Sequence, residues 1–215
     1  MIGALLILSA QTLHPQVAKI VADVSEERIA NTMRQLESFG TRDIHSATNE
    51  KARQWIAAEL KSYSPRLEVS FDAHEVKKGA RVQRDLTVTN VVARLPGKLH
   101  PEIQVMIMGH YDTITLVRKA AVGTAPAATD YPATSQAPKS PGVSDNASGV
   151  AALMELARVM SAHEWDKTIV FIATSGEEYG LFGATGYAAN AKKNGLKIEA
   201  VLNNDIIGND DNGQG

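Results

Sequence analysis

Ile169-Val170-Phe171-Ile172-Ala173-Thr174-Ser175-Gly176-Glu177-Glu178-Tyr179-Gly180 runs from an unbroken apolar stretch straight into two adjacent carboxylates held between glycines. A short, continuous apolar run containing β-branched and aromatic residues marks a strand covered on both faces, as in a parallel sheet. Two neighbouring glutamates at the end of such a strand raise each other's pKa, and burial adds a desolvation penalty to both. The pair is therefore either solvated or faces a cation, and the rest of the sequence has to decide between the two.

Working outward, the same unit recurs. Ile103 to Met108, broken only by Gln104, is another apolar run. Ala147 to Met160 is a helix entered from Asp145 and Asn146, with Val150, Met154, Ala157 and Met160 along one stripe. Lys167 to Ala173 is a strand, Leu181 to Lys193 a helix closed by Gly195, and Ile198 to Asn203 a further strand. Alternating strands and helices predict an α/β fold, a mostly parallel central sheet with helices on both faces. Upstream, Ser25 caps a helix with Glu26 and Glu27 in its first turn, the stripe Ile29, Met33 and Leu36, and a stop at Gly40. A second helix runs from Asn49 to Tyr63, with Trp55, Ile56 and Leu60 inward and Pro65 beyond its end. Leu67 to Val76 and Leu86 to Leu95, joined by the basic stretch Lys77 to Arg84, read as a β-hairpin.

The totals set bounds on function. The 215 residues suit one domain, over about residues 20–215, with a substantial core. Lys+Arg 22 against Asp+Glu 24 gives a net charge of -2 with no basic block, which argues against a nucleic-acid or membrane-surface partner and for small or peptide-like targets. With Cys 0, any metal must be held by imidazole and carboxylate. The apolar run Ile2 to Ala10 is far shorter than the ~20 residues of a membrane span. It resembles the end of a signal peptide without its basic start, so residues 1–10 are read as a signal-peptide remnant and the protein as secreted or periplasmic, with a cytoplasmic location as the alternative. Leu116 to Pro141, rich in Ala, Thr, Pro and Ser, is a long inserted loop, either a lid over the site or a surface excursion.

The three apolar strands, all read as buried, end in the same chemistry: Gly109-His110-Tyr111-Asp112, then Glu177-Glu178, then Asn203-Asn204-Asp205. In a parallel sheet these carboxyl ends share one edge, where such folds place ligands. Asp145 joins them because its helix must start from that edge. Imidazole plus carboxylates suits Zn²⁺ or a similar divalent ion, and this density of acids suggests a pair of ions about 3.5–4 Å apart bridged by one Asp. Taken singly, His110 also reads as a structural histidine and Asp145 as a helix cap.

The segments GHYD, SDNASGVAALMELAR, TSGEEYGLFGATGY and LNNDIIG resemble, in content and order, the M28 family of zinc metallopeptidases, over about Asn90 to Gly208. The resemblance implies that His110 and Asp205 bind one zinc, that Asp145 bridges to a second, and that Glu178 binds the second. It leaves Glu177 as general base and Asp112 as the carboxylate that orients the first site, and it implies a cis peptide between Asp145 and Asn146. The activity implied is removal of N-terminal residues from peptides; the alternatives are a glutaminyl-cyclase-like acyl transferase and an incompetent fragment. The family's second zinc takes a further His well downstream of Asp205, whereas the sequence ends ten residues after it, so the reading expects a C-terminally truncated domain. His14, His45, His74, His100 and His163 lie upstream and are read as surface or core histidines.

Overall fold

A mixed five-stranded sheet carries the chain. The computed structural model describes residues 14–115, 117–118, 129–130 and 139–208. Its strands are β1 (Glu68–Val76), β2 (Leu86–Leu95), β3 (His100–His110), the short pair β4 (Val117–Arg118) and β5 (Thr129–Asp130), then β6 (Lys167–Thr174) and β7 (Lys197–Asn203). The helices are α1 (Pro15–Ala22), α2 (Glu26–Ser38), α3 (Ala47–Tyr63), α4 (Ser148–Ser161) and α5 (Phe182–Lys193). The main sheet has the order β1-β2-β6-β3-β7. β6, β3 and β7 run parallel, and the β1–β2 hairpin adds antiparallel on the β6 side.

Period-two alternation within the apolar strands builds both faces of the sheet. Val91, Ala93 and Leu95 of β2 and Ile169, Phe171 and Ala173 of β6 face one way, onto Ile56 and Leu60 of α3 and Leu153, Met154 and Ala157 of α4. Val92, Val170 and Ile172 face the other way with Met106, against Tyr187 of α5. The helices thus lie on both faces, as expected.

Most elements form where the sequence puts them. The Ser25 hydroxyl accepts the Arg28 N–H at 3.3 Å to start α2, and Gly40, at φ +74°, follows its end. α3 starts two residues before the predicted Asn49, because Ser46 caps it by accepting the Thr48 N–H. β3 extends beyond Ile103–Met108 at both ends, since backbone pairing to its neighbours continues past the apolar run. α1 is absent from the sequence reading; Pro15 begins it and the His14 side chain accepts the Gln16 N–H.

One expectation needs correction. β7 reads as a buried strand, yet its side chains are exposed, Val201 and Leu202 among them. It pairs only with β3, at the edge of the sheet. The signal-peptide reading of residues 1–10, most of the 116–141 insertion and the segment after Gly208 lie outside the described residues. Among the described residues, no helix is long and apolar enough to cross a membrane.

Candidate metal centre

Register brings the acidic strand ends together. His110 is paired with Thr174, the last residue of β6, and Met108 with Asn203, the last residue of β7. The Asn204 N–H donates to the Met108 carbonyl at 2.8 Å, which carries Asp205 up beside His110. The start of α4 enters the same space because two glycines let backbones touch. A Cβ on Gly109 would sit 3.2 Å from the Gly149 backbone, and one on Gly149 would lie 2.3 Å from the Asn204 carbonyl oxygen and 2.4 Å from Asn146 Oδ1.

His110 is buried, with Nδ1 donating to the Asp112 carbonyl at 3.1 Å. That bond fixes the tautomer, since a carbonyl can only accept, and it turns Nε2 toward the acids. Nε2 lies 3.0 Å from Asp145 Oδ1, 3.5 Å from Asp205 Oδ1 and 3.9 Å from Glu177 Oε2. Burial alone would lower the imidazole's pKa, but hydrogen bonding and charge from Asp112, helped by Glu177 and Asp205, outweigh it and raise it to about 9. The surroundings of this ring are organised for positive charge.

Asp145 is not a helix cap. It sits in the turn Val143–Ala147, where it and Asn146 leave helical backbone angles, and the Asp145–Asn146 peptide is cis. The capping work falls to Asn146, whose Oδ1 accepts the Gly149 N–H at 2.9 Å and whose Nδ2 donates to the Asn204 carbonyl at 2.9 Å. Asp145 Oδ1 is buried and makes no hydrogen bond; His110 Nε2, 3.0 Å away, is the group that faces it, and a metal ion between the two would satisfy both.

Asp112 is fully buried and acts through the backbone. Its Oδ1 accepts the Glu177 N–H at 3.2 Å and its Oδ2 the Glu178 N–H at 3.3 Å. One carboxylate thereby fastens the Glu177-Glu178 turn to the end of β3. Burial raises the Glu177 pKa, and Asp112, Asp205 and Asp145 add to it against the pull of His110. Glu178 rises to about 7, from burial first and then from Asp145 and Asp112. Glu177 lines the recess at the acidic edge, and Glu178 feels the charge of Asp145 and Asp112 there.

Whether these residues suit a metal is answered by the donor set. His110, Asp145 and Asp205 each offer one ligand atom, and the three atoms lie within 4.8 Å of one another. One imidazole nitrogen and two carboxylate oxygens form a fitting set for zinc, leaving room for further ligands. Glu178 stands outside this trio, and Asp145 is the charged group that acts on it most strongly. A recess of about 210 Å³ adjoins the trio, lined by Met108, Glu177, Leu181 and Ala184 among others.

Sequence reasoning missed Arg42, Asp43 and Tyr179, which support the site from below. Arg42 is fully buried and donates to the Tyr111, Pro141 and Gly142 carbonyls; Asp43 accepts the Tyr179 hydroxyl. They sit in short loops, where no periodicity singles out a residue. The only signal is the charged pair Arg42-Asp43 just after the helix stop at Gly40. The other described histidines lie elsewhere; His45 and His74 are held by Asp43 and Asp72.

A sheet edge with a buried imidazole and clustered carboxylates, set in an α/β fold, is a place that can hold a divalent metal ion. The profile of peptidase family M28 matches residues 90–214, which hold every candidate site residue, and the chain belongs to that family. It is 33% identical to a probable zinc metalloprotease of Pyricularia oryzae, over 97% of this chain and 41% of that protein. The chain thus spans about two fifths of the length of such relatives. Among solved structures, LapB from Legionella pneumophila superposes with TM-score 0.68 at 22% identity, over 94% of this chain and 49% of LapB. The LapA aminopeptidase of the same organism gives TM-score 0.64 at 20% identity, over 89% and 45%. A glutaminyl cyclase of Porphyromonas gingivalis gives TM-score 0.68 at 22% identity, over 86% and 62%. At these identities the structures speak to the shared fold.

Proposed function

We propose that this chain carries the zinc centre of a peptide hydrolase that removes N-terminal residues from peptides. The observation that carries the reading is the trio His110, Asp145 and Asp205 with Glu177 beside it, 3.9 Å from His110 Nε2. When bound, zinc supplies Lewis acidity toward the scissile carbonyl and toward water. A second ion would draw on Asp145 and Glu178.

The chain's own residues divide the remaining work. His110, held by the Asp112 carbonyl, keeps its ligand nitrogen aimed at the carboxylates. Asp112 keeps the Glu177-Glu178 turn in place through two backbone N–H groups. Glu177, partly exposed and 3.9 Å from His110 Nε2, is placed to accept a proton from a water at the centre. It takes a proton from the attacking water and returns it to the departing amine, which a peptide bond requires because its amine is a poor leaving group.

Family membership and the zinc metalloprotease relatives support peptide hydrolysis; the likeness to the LapA aminopeptidase favours the N-terminal specificity. The glutaminyl cyclase likeness supports a second reading, cyclisation of N-terminal glutamine. Glu177→Gln in the complete protein tests the assignment. Removal of a general base costs about 10²–10⁴-fold in kcat, and zinc content should be unchanged. Loss of zinc would make Glu177 a ligand and undo the assignment. Assay of a free-amine aminoacyl anilide, its N-acetyl form and a glutaminyl peptide separates exopeptidase, endopeptidase and cyclase.

A further inference from the structure

Beneath the centre, the loop between α2 and α3 reaches both of its acidic turns. Arg42 Nε donates to the Tyr111 carbonyl at 2.6 Å, Nη1 to Leu36 at 3.0 Å and Pro141 at 2.5 Å, and Nη2 to Gly142 at 2.9 Å. These carbonyls belong to the end of β3, the end of α2 and the approach to Asp145. The planar guanidinium makes these four bonds from nitrogens spread over a rigid fork, whereas an ammonium has only three donors, all on one nitrogen. The packing around it is tight: Gly142 has φ +50°, and a Cβ there would lie 2.3 Å from Thr113 Cγ2 and 3.0 Å from Arg42 Nη2. Arg42 is itself placed by Thr113, whose Oγ1 accepts its backbone N–H at 2.8 Å.

The neighbouring residue faces the other turn. Asp43 is buried; its Oδ2 accepts the Tyr179 hydroxyl at 2.5 Å, and its Oδ1 accepts the His45 N–H at 2.8 Å and meets His45 Nδ1 at 3.0 Å. Tyr179 directly follows Glu178, whose N–H is bound to Asp112 and whose carbonyl accepts Arg81 Nη2. The Glu177-Glu178 turn is therefore pinned at its backbone from one side and through Tyr179 from the other.

We propose that the dipeptide Arg42-Asp43 is the positioning element of the centre: Arg42 sets the Asp145 turn against the end of β3, and Asp43, through Tyr179, sets the turn carrying Glu177 and Glu178. The inference rests on the reading of the site as a zinc hydrolase. The two halves have different consequences. Loosening Arg42 displaces a ligand of the trio, so it weakens zinc binding. Loosening Tyr179 displaces the base, so it lowers turnover.

The test uses the complete protein with Arg42→Lys and Tyr179→Phe, each shown by circular dichroism to be folded at the assay temperature. Zinc affinity is read by competition with a chromophoric chelator, kcat and KM separately, and melting in the metal-free state. Arg42→Lys should weaken zinc binding by about 10–100-fold, the range for partners that hold metal ligands. Tyr179→Phe should lower kcat about tenfold with KM and the tightest zinc affinity near the unsubstituted values. If Arg42→Lys does not fold, Thr113→Val removes only the hydroxyl that holds the Arg42 backbone, and a several-fold weaker zinc affinity is expected. Variants that melt earlier yet bind zinc and turn over like the parent would show a purely structural role and overturn the proposal. A parent that binds no zinc would overturn the functional reading as well.

Discussion

Gly149→Ala asks whether the close approach of three backbones is what assembles the centre. The added Cβ would lie 2.3 Å from the Asn204 carbonyl oxygen and 2.4 Å from Asn146 Oδ1. An ordinary contact is about 3.4 Å, so the neighbours must yield by about 1 Å, and neither is the free end of a long side chain. Asn204 precedes Asp205, and Asn146 follows Asp145 while also accepting the Ile206 N–H at 3.3 Å. The shift is large against the 3.0 and 3.5 Å that separate His110 Nε2 from the two aspartates. A misplacement of about 1 Å can cost about 10²-fold in activity, and overpacking of this kind about 1–3 kcal/mol in stability. At about 2–4 °C per kcal/mol for a chain of this size, the metal-free melting temperature should fall by about 2–12 °C. Titration with zinc against a competing chelator, together with thermal melting, reads both effects. A variant with parental zinc affinity and parental melting would refute the reasoning.

Phe171→Ala removes a fully buried ring from the middle of β6. Such truncations cost about 3–5 kcal/mol, read as a lower urea midpoint with unchanged slope; a loss under about 1 kcal/mol would contradict the packing described. Glu155 should make the protein acid-sensitive away from the centre. Burial raises its pKa, but hydrogen bonds from Arg158 and the Ser25 N–H outweigh it and bring it below 4.5. Its stabilising effect is thus full above that value and fades as pH falls through the lowered pKa. Glu155→Gln should flatten the pH dependence of melting below about pH 4.5, and an unchanged acid limb would count against the network.

Much of this architecture was legible because it is periodic. The strands around Ile107 and Phe171 are largely apolar, and helices such as Glu26–Ser38 announce their caps, so the α/β class and the parallel run of β6, β3 and β7 followed from pattern, while the antiparallel joining of β2 to β6 did not. His110, Asp145, Glu177 and Asp205 were legible for the same reason: each follows or precedes an element whose end could be placed. Burial of β7 was misjudged because a strand's neighbours are not written in its own residues; Val201 looks like Val170, yet only Val170 has partners on both sides. Arg42 and Asp43 escaped notice because their role lies in hydrogen bonds to Pro141, Gly142 and Tyr179, about a hundred residues or more away in sequence. Asp112 was placed at the site, but that it holds the Glu177-Glu178 turn through two N–H groups is a fact of three dimensions.

In the proposed zinc site His110, Asp145 and Asp205 converge on one ion. Crystals of the complete protein grown with zinc, with diffraction recorded above and below the zinc absorption edge, test it most directly. An anomalous peak bonded to His110 Nε2 and to carboxylate oxygens of Asp145 and Asp205 is expected, with Glu177 beside it but unbonded. A zinc peak elsewhere, with these three side chains engaged only with one another, would contradict it.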